Sequence, residues 1–310
     1  MTTPKKTTKR KHPTTEPAVP DSLSVGGRIV VKVIQRGKSW HQNVNPFVWS
    51  LPTQAPDGTW TRGEWTPKVP AIRCESGYHG TNCAPKWWGE DAVAYWMEYH
   101  PDAKVIAPSE DSEDKFCGEQ CRLLRPLNRA ELEAQGVYLT GKHENIGESG
   151  GNFVIGGDAE INDVRGGTIN YVRGGTINYV RGGTINYVRG GTINDVRGGT
   201  INYVSGGTIN YVRGGTINDV SGGTINYVRG GTINYVSGGT INDVRGGTIT
   251  AHAVSNAVIV VRWNRPMVTV RSNASILDYR GSRPVHHVAP DGMSLTLAAD
   301  GSVSQAKESS

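Results

Sequence analysis

Two apolar residues recur through the middle of the chain at a spacing that alternates three and five. From Gly166 to Arg245 an eight-residue unit, Gly-Gly-Thr-Ile-Asn-Tyr/Asp-Val-Arg/Ser, runs ten times without insertion or deletion, so that Ile169 and Val172 are followed by Ile177 and Val180. A degenerate copy precedes it at Asp158–Arg165, and a truncated one follows at Gly246–Thr250. Side chains on a straight strand alternate with a period of two, so residues three apart point to opposite faces. For Ile and Val to enter one core, the chain must bend between them. Thr and Asn flank each Ile and face outward, and the Gly-Gly pair supplies a corner of positive φ or close backbone approach. One octad buries nothing alone; stacked coils bury a continuous Ile/Val column. The pattern predicts a parallel β-solenoid. A helix is excluded, because two glycines per octad cost about 2 kcal/mol relative to alanine. Retention of Ile and Val in every copy argues against a flexible Gly-rich linker.

Two octads per coil give a coil of about 16 residues, and three give 24. Asp195, Asp219 and Asp243 recur every 24 residues. In a three-octad coil they would stack directly and repel; in a two-octad coil they alternate sides among tyrosines. Sixteen is favoured, although duplication of a 24-residue block leaves the same trace. Ten octads then make about five coils, a rod of roughly 25 Å.

The flanks differ in character. Residues 1–21 read as a disordered basic tail carrying Lys5, Lys6, Lys9, Arg10 and Lys11 ahead of any acid. Residues 22–136 form a Trp- and Cys-rich α+β domain. Strands are predicted at Arg28–Ile34, near Val48–Leu51 and around Val105, and helices at Glu90–Tyr99 and Asn128–Gln135. Asn128 and Glu131 form a capping-box pair at the start of the second helix. Residues 137–150 read as a linker, 151–250 as the solenoid, 251–303 as a β-rich cap and 304–310 as a polar, disordered tail. Strands in the cap are predicted at Ala257–Trp263, Met267–Arg271, Ser275–Tyr279 and Ser294–Ala298.

Composition narrows the functional classes. Gly reaches 41 residues without collagen periodicity, and the net charge of +5 permits a polyanionic partner without requiring one. No apolar run suits a membrane helix, and the first thirty residues lack the apolar stretch of a secretory signal. The expected location is the cytoplasm of the producing cell, with incorporation into a virion as an extension.

Cys74, His79, Cys83, Cys117 and Cys121 form the one metal-like constellation, suited in kind to structural zinc. Its spacings are wider than those of zinc ribbons, and disulfides or plain buried thiols stand as alternatives. No other cofactor is expected. The tryptophans fit core packing, or a platform for stacking sugars or bases. On the solenoid, Tyr171, Tyr179, Tyr187, Tyr203, Tyr211, Tyr227 and Tyr235 would form aromatic ladders. Arg173, Arg181, Arg189 and Arg197 begin a positive stripe that continues through Arg213, Arg229 and Arg245. Such a surface suits glycan or nucleic acid, or serves only to solubilise.

Two resemblances follow. Tyr78-His79-Gly80-Thr81 resembles the short His-Gly-Thr motif that binds nicotinamide ribose in ADP-ribosyltransferases, without their Tyr and Glu in strand context. Residues Arg73–Leu124 resemble an uncharacterised domain of phage and actinobacterial proteins. The resemblance is carried by the Gly77-Tyr78-His79 turn after Cys74, by Glu90–Tyr95, by Asp114-Lys115 and by Cys121–Leu124. That family implies no activity. The octad array is similar to solenoids of phage-encoded proteins. The resulting expectation is a non-enzymatic structural or interaction protein, a phage or prophage accessory, virion or assembly component, with protein partners or self-association through the solenoid ends. A glycan- or nucleic-acid-binding module is the second reading, and an enzyme with a solenoid spacer the third.

Overall fold

The computed structural model describes residues 29–35, 39, 47–72, 75–109, 114–251, 258–262, 267–271, 275–290, 292–300 and 302–307. The expected basic tail therefore lies outside the described residues. The chain divides into two compact units. One comprises residues up to Ala84 and Gly89–Gln135, the other Pro85–Trp88 and everything from Gly136 onward.

The first unit is built on a six-stranded antiparallel sheet, ordered Val105–Ile106, Lys115–Gly118, Tyr78–Thr81, Ile29–Gln35, Ala92–Tyr99, Cys121–Pro126. The β-branched run Ile-Val-Val-Lys-Val-Ile makes the first strand, in register with Ala92–Tyr99 so that Val31 faces Trp96. Ala92–Tyr99 is the main correction, since a helix was predicted there. Six of its eight residues, Ala94 to Tyr99, are buried, because the strand lies between two neighbours with both faces covered. A strand buried on both faces shows no alternation, and an apolar run of that kind does not distinguish helix from strand. The helix Arg129–Ala134 does form, with both halves of the Asn128–Glu131 capping box made. Near Val48–Leu51 only a bridge at Val48 forms, and a short hairpin of Thr53–Gln54 with Trp60–Thr61 follows.

The second unit is a parallel β-solenoid over residues 137–278 with a coil of 16 residues. Its strands alternate between two sheets. Face I carries Thr168–Val172, Thr184–Val188, Thr200–Val204, Thr216–Val220 and Thr232–Val236; face II carries Thr176–Val180, Thr192–Val196, Thr208–Val212, Thr224–Val228 and Thr240–Val244. Within a face, Thr168 pairs with Thr184, Ile169 with Ile185, Tyr171 with Tyr187 and Val172 with Val188; the Asn is the one position stepped over. Ile and Val are both fully buried in one continuous core. The bend demanded by their three-residue spacing therefore falls at the Asn between them.

The corners explain the glycines. Thr184 N–H donates to Gly167 O (2.9 Å) and Arg189 N–H to Val172 O (2.8 Å), so the ladder continues onto both sides of the turn. A Cβ on Gly190 would meet Arg173 O at 2.7 Å; Gly191 has φ of 74° and its Cβ would meet Gly174 O at 2.6 Å. The first glycine lets successive coils approach, and the second also takes a left-handed backbone.

The stack is longer than ten octads. Val137–Tyr138 pairs parallel to Asn152–Ile155, and Lys142–Ile146 pairs parallel to Glu160–Val164. The expected linker 137–150 is thus the first coil, with Val137 and Ile146 buried and Gly141, Gly147 and Gly150 at positive φ. Beyond the repeat, Val258–Val261, Met267–Arg271 and Ser275–Asp278 continue the same sheets. Uneven loop lengths hide these coils from an eight-residue template, while Ile259, Val261, Val268, Val270 and Ile276 fill the same core column. Each face contributes nine parallel strands, where about five coils were expected. At ~4.8 Å per coil the stack runs on the order of 40 Å.

The stack ends by reversing direction. Val285–Val288 lies antiparallel on Ser275–Asp278, Met293–Leu297 on Met267–Arg271, and Val303–Lys307 on Met293–Leu297. The last strand takes in part of the segment expected to be a tail, 304–310. Pro284 and Pro290 flank Val285–Val288, a feature that blunts sheet edges.

Candidate functional site

The 16-residue coil sorts the octad's outward residues into columns, and the sorting is uneven. Tyr171, Tyr187, Tyr203, Asp219 and Tyr235 succeed one another on face I; Asp163, Tyr179, Asp195, Tyr211, Tyr227 and Asp243 do so on face II. The residue after each strand occupies a corner. The corner after face II holds Arg165, Arg181, Arg197, Arg213, Arg229 and Arg245, an unbroken arginine column. The corner after face I holds Arg173 and Arg189, then Ser205, Ser221 and Ser237. Every Arg-to-Ser exchange in the array falls on one corner.

The tyrosines stack along the axis. Ring centroids are 5.3 Å apart for Tyr171–Tyr187, 5.2 Å for Tyr187–Tyr203 and 5.0 Å for Tyr211–Tyr227, with near-parallel planes. Arginines lie over them: Arg173 over Tyr171 at 4.5 Å, Arg189 between Tyr171 and Tyr187 at 5.3 Å from each, and Arg181 over Tyr179 at 5.1 Å. These cation–π contacts hold the guanidinium groups flat on the rod.

Aspartates anchor the arginine column. Asp163, 4% exposed at its side chain, receives Arg165 (3.0 Å) and Arg181 (2.7 Å). Asp195 receives Arg197 (2.8 Å) and Arg213 (3.1 Å), and Asp243 receives Arg245 (2.7 Å). One carboxylate thus serves the arginine of its own coil and that of the next. Hydrogen bonding to these carboxylates, and to Glu148 for Arg165, raises the Arg165, Arg197 and Arg245 guanidinium pKa values. Arg165 and Asp163 belong to the degenerate octad and escaped the sequence reading; only the coil length brings them into the column.

Two asparagine ladders run beside the tyrosines. Asn186 donates to Asn170 (3.1 Å), Asn202 to Asn186 (2.9 Å), Asn218 to Asn202 (2.9 Å) and Asn234 to Asn218 (2.9 Å). Face II repeats this from Asn194–Asn178 to Asn242–Asn226. Each amide donates to one neighbour and accepts from the other, so side-chain bonds reinforce the backbone ladder along the axis.

In the first unit, the candidate metal ligands fall on several elements. Cys74 lies outside the described residues. His79 and Cys117 are direct partners on adjacent strands, and the Cys117 thiol donates to Ser76 O (3.2 Å). Cys121 is buried on the edge strand, where burial pushes its thiol up to about 12. Among the described residues, no three His, Cys, Asp or Glu side chains gather as a ligand set, and no disulfide joins Cys83, Cys117 and Cys121. In the His-Gly-Thr segment, Gly80 is packed so closely that a Cβ would meet Val30 Cγ2 at 2.3 Å, and Thr81 bonds Asp114 at 3.2 Å. Trp49 packs on Phe47 and Tyr78, and Trp96 is buried; Trp65 carries Arg122 at 4.2 Å. Lys32 is buried at 5.1 Å from the Trp49 ring and donates to His79 O (2.9 Å); burial lowers its ammonium to about 8.

No helix among the described residues is long and apolar enough to cross a membrane. Comparison of the chain with known protein families, curated proteins and solved structures finds no match.

Proposed function

We propose that the chain is a non-enzymatic structural protein whose solenoid is a rigid spacer, an accessory or assembly component of a phage or prophage particle. The observation that carries this reading is the fate of the outward side chains. Asn bonds Asn, most of the aspartates bond Arg, and tyrosines stack on tyrosines, coil after coil. Polar groups committed to their neighbours along the axis stiffen a rod. The phage assignment is supported by the resemblance of Arg73–Leu124 and of the octads to phage-encoded proteins. The test is to purify assembled particles from a producing strain and assay them for the full chain and for a chain lacking residues 198–213. Retention of both, with a shorter projection in the second, is expected. Absence of the full chain from particles would overturn the assignment.

A second reading, binding of an anionic polymer, is favoured by one observation: the arginine column repeats with the coil and includes Arg229, which lies over Tyr211 at 5.4 Å and has no carboxylate partner among the described residues. Salt-sensitive retention on heparin, or on single-stranded DNA, that is lost with Arg181, Arg197, Arg213 and Arg229 changed to Ser tests it.

A further inference from the structure

Face II contains a filled site, and face I contains the same site emptied. On face II, Asp195 stands between Tyr179 and Tyr211. Arg197 lies over Tyr179 at 4.5 Å and on the carboxylate at 2.8 Å; Arg213 lies over Tyr211 at 5.2 Å and on the other carboxylate oxygen at 3.1 Å. On face I, Asp219 stands between Tyr203 and Tyr235 in the same register. The two positions equivalent to those arginines are Ser221 and Ser237. Among the described residues Asp219 makes no ion pair, whereas Asp163, Asp195 and Asp243 each do; its buried Oδ1 lacks a hydrogen-bond partner, as does that of each of those three. Tyr203, whose cover would come from residues 205 and 221, is the barest tyrosine of the ladder, at 48% exposure. The arrangement is an aromatic and anionic seat for a guanidinium group that the coil itself does not supply.

The same corner carries a guanidinium without a carboxylate. Arg189 is exposed and, among the described residues, lies only over Tyr171 and Tyr187. The order of coils is Tyr187/Arg189, Tyr203/Ser205, Asp219/Ser221. Arg189 and Asp219 therefore lie one coil to either side of Tyr203. A two-fold axis through that coil, perpendicular to the rod, brings Arg189 of each copy to Asp219 of the other and Tyr203 against its own equivalent. Such a patch is self-complementary, as an isologous contact requires, and the serines leave room for the incoming side chain. We infer that two copies of this chain pair side by side and antiparallel along this corner, each placing Arg189 in the Tyr203–Asp219–Tyr235 seat of its partner. The inference is independent of the particle role proposed above.

Sedimentation of the full chain over a range of concentrations tests it, alone and as the Ser221→Arg, Ser237→Arg variant. These substitutions copy the Arg197/Arg213 arrangement and fill the seat from within, so thermal stability should hold or rise. The wild-type chain is expected to dimerise in a salt-sensitive way, with the filled variant weaker by about tenfold or more. Arg189→Asp and Asp219→Arg should each weaken the dimer and restore it when combined. A wild-type chain that stays monomeric overturns the inference, including one that captures an arginine-rich peptide at Asp219 instead. A dimer indifferent to the filled seat overturns it equally.

Discussion

Asp163 and Arg181 are eighteen residues apart in the chain, and their side chains meet at 2.7 Å. One coil of 16 residues plus the two-residue step from Asp to Arg within an octad accounts for the separation. Deletions should respect that arithmetic. Removing residues 198–213 takes out one whole coil and leaves every column continuous. Removing residues 198–205 alone sends each later octad to the opposite face and sets Asp219 directly beside Asp195. Like charges placed opposite one another cost about 0.2–1 kcal/mol. Thermal unfolding followed by circular dichroism should therefore rank the half-coil deletion below the whole-coil one.

The corner glycine tolerates little change. Gly191→Ala forces a side chain into a left-handed backbone, at about 1–2 kcal/mol, and into Gly174 O. The expected loss is at least ~2 kcal/mol in urea unfolding, against near neutrality for Thr192→Ala one residue later.

Core trimming should follow cavity rules. Ile201 is fully buried in the continuous column. Ile201→Ala should cost about 2–5 kcal/mol and Ile201→Val about 0.5–1.5 kcal/mol. Equal effects would mean that the column is not close-packed.

Lys32 gives the first unit a pH signature. Its ammonium is lowered by burial to about 8, so in the folded state it loses its proton above that pH while the unfolded lysine keeps its own up to about 10.5. The unfolded state then binds more protons, and stability rises with pH between 8 and 9 by up to about 1 kcal/mol. Above about 9 the raised Cys121 thiol opposes the trend, because it ionises first in the unfolded chain. Lys32→Met should abolish the rise and stabilise the unit at pH 7, as read by denaturant titration at each pH.

The solenoid was legible in the sequence because a strict period repeats one physical constraint ten times. Even the coil size could be read from Asp195, Asp219 and Asp243, whose like charges disfavour direct stacking. The outer coils were not legible, since Ile146 and Ile276 enter the same core through loops of irregular length. Ala92–Tyr99 misled for the opposite reason: a strand covered on both faces has no alternation to read. The tyrosines and arginines were recognised as ladders, but their division between two faces, and the gathering of Ser205, Ser221 and Ser237 on one corner, follow only from the register. The spacing of the cysteines did not show their placement: Cys117 and Cys121, four residues apart, lie on different strands of the sheet.

The central claim is a stiff rod with a 16-residue coil, and one distance tests it. Thr168 and Thr248 lie in one outward column, five register steps apart through Thr184, Thr200, Thr216 and Thr232. Spin labels attached at these two positions by chemistry that spares the native cysteines should give a narrow distance distribution near ~24 Å by pulsed electron resonance. A broad distribution centred near ~50 Å, as expected of eighty flexible Gly-rich residues, would contradict the account.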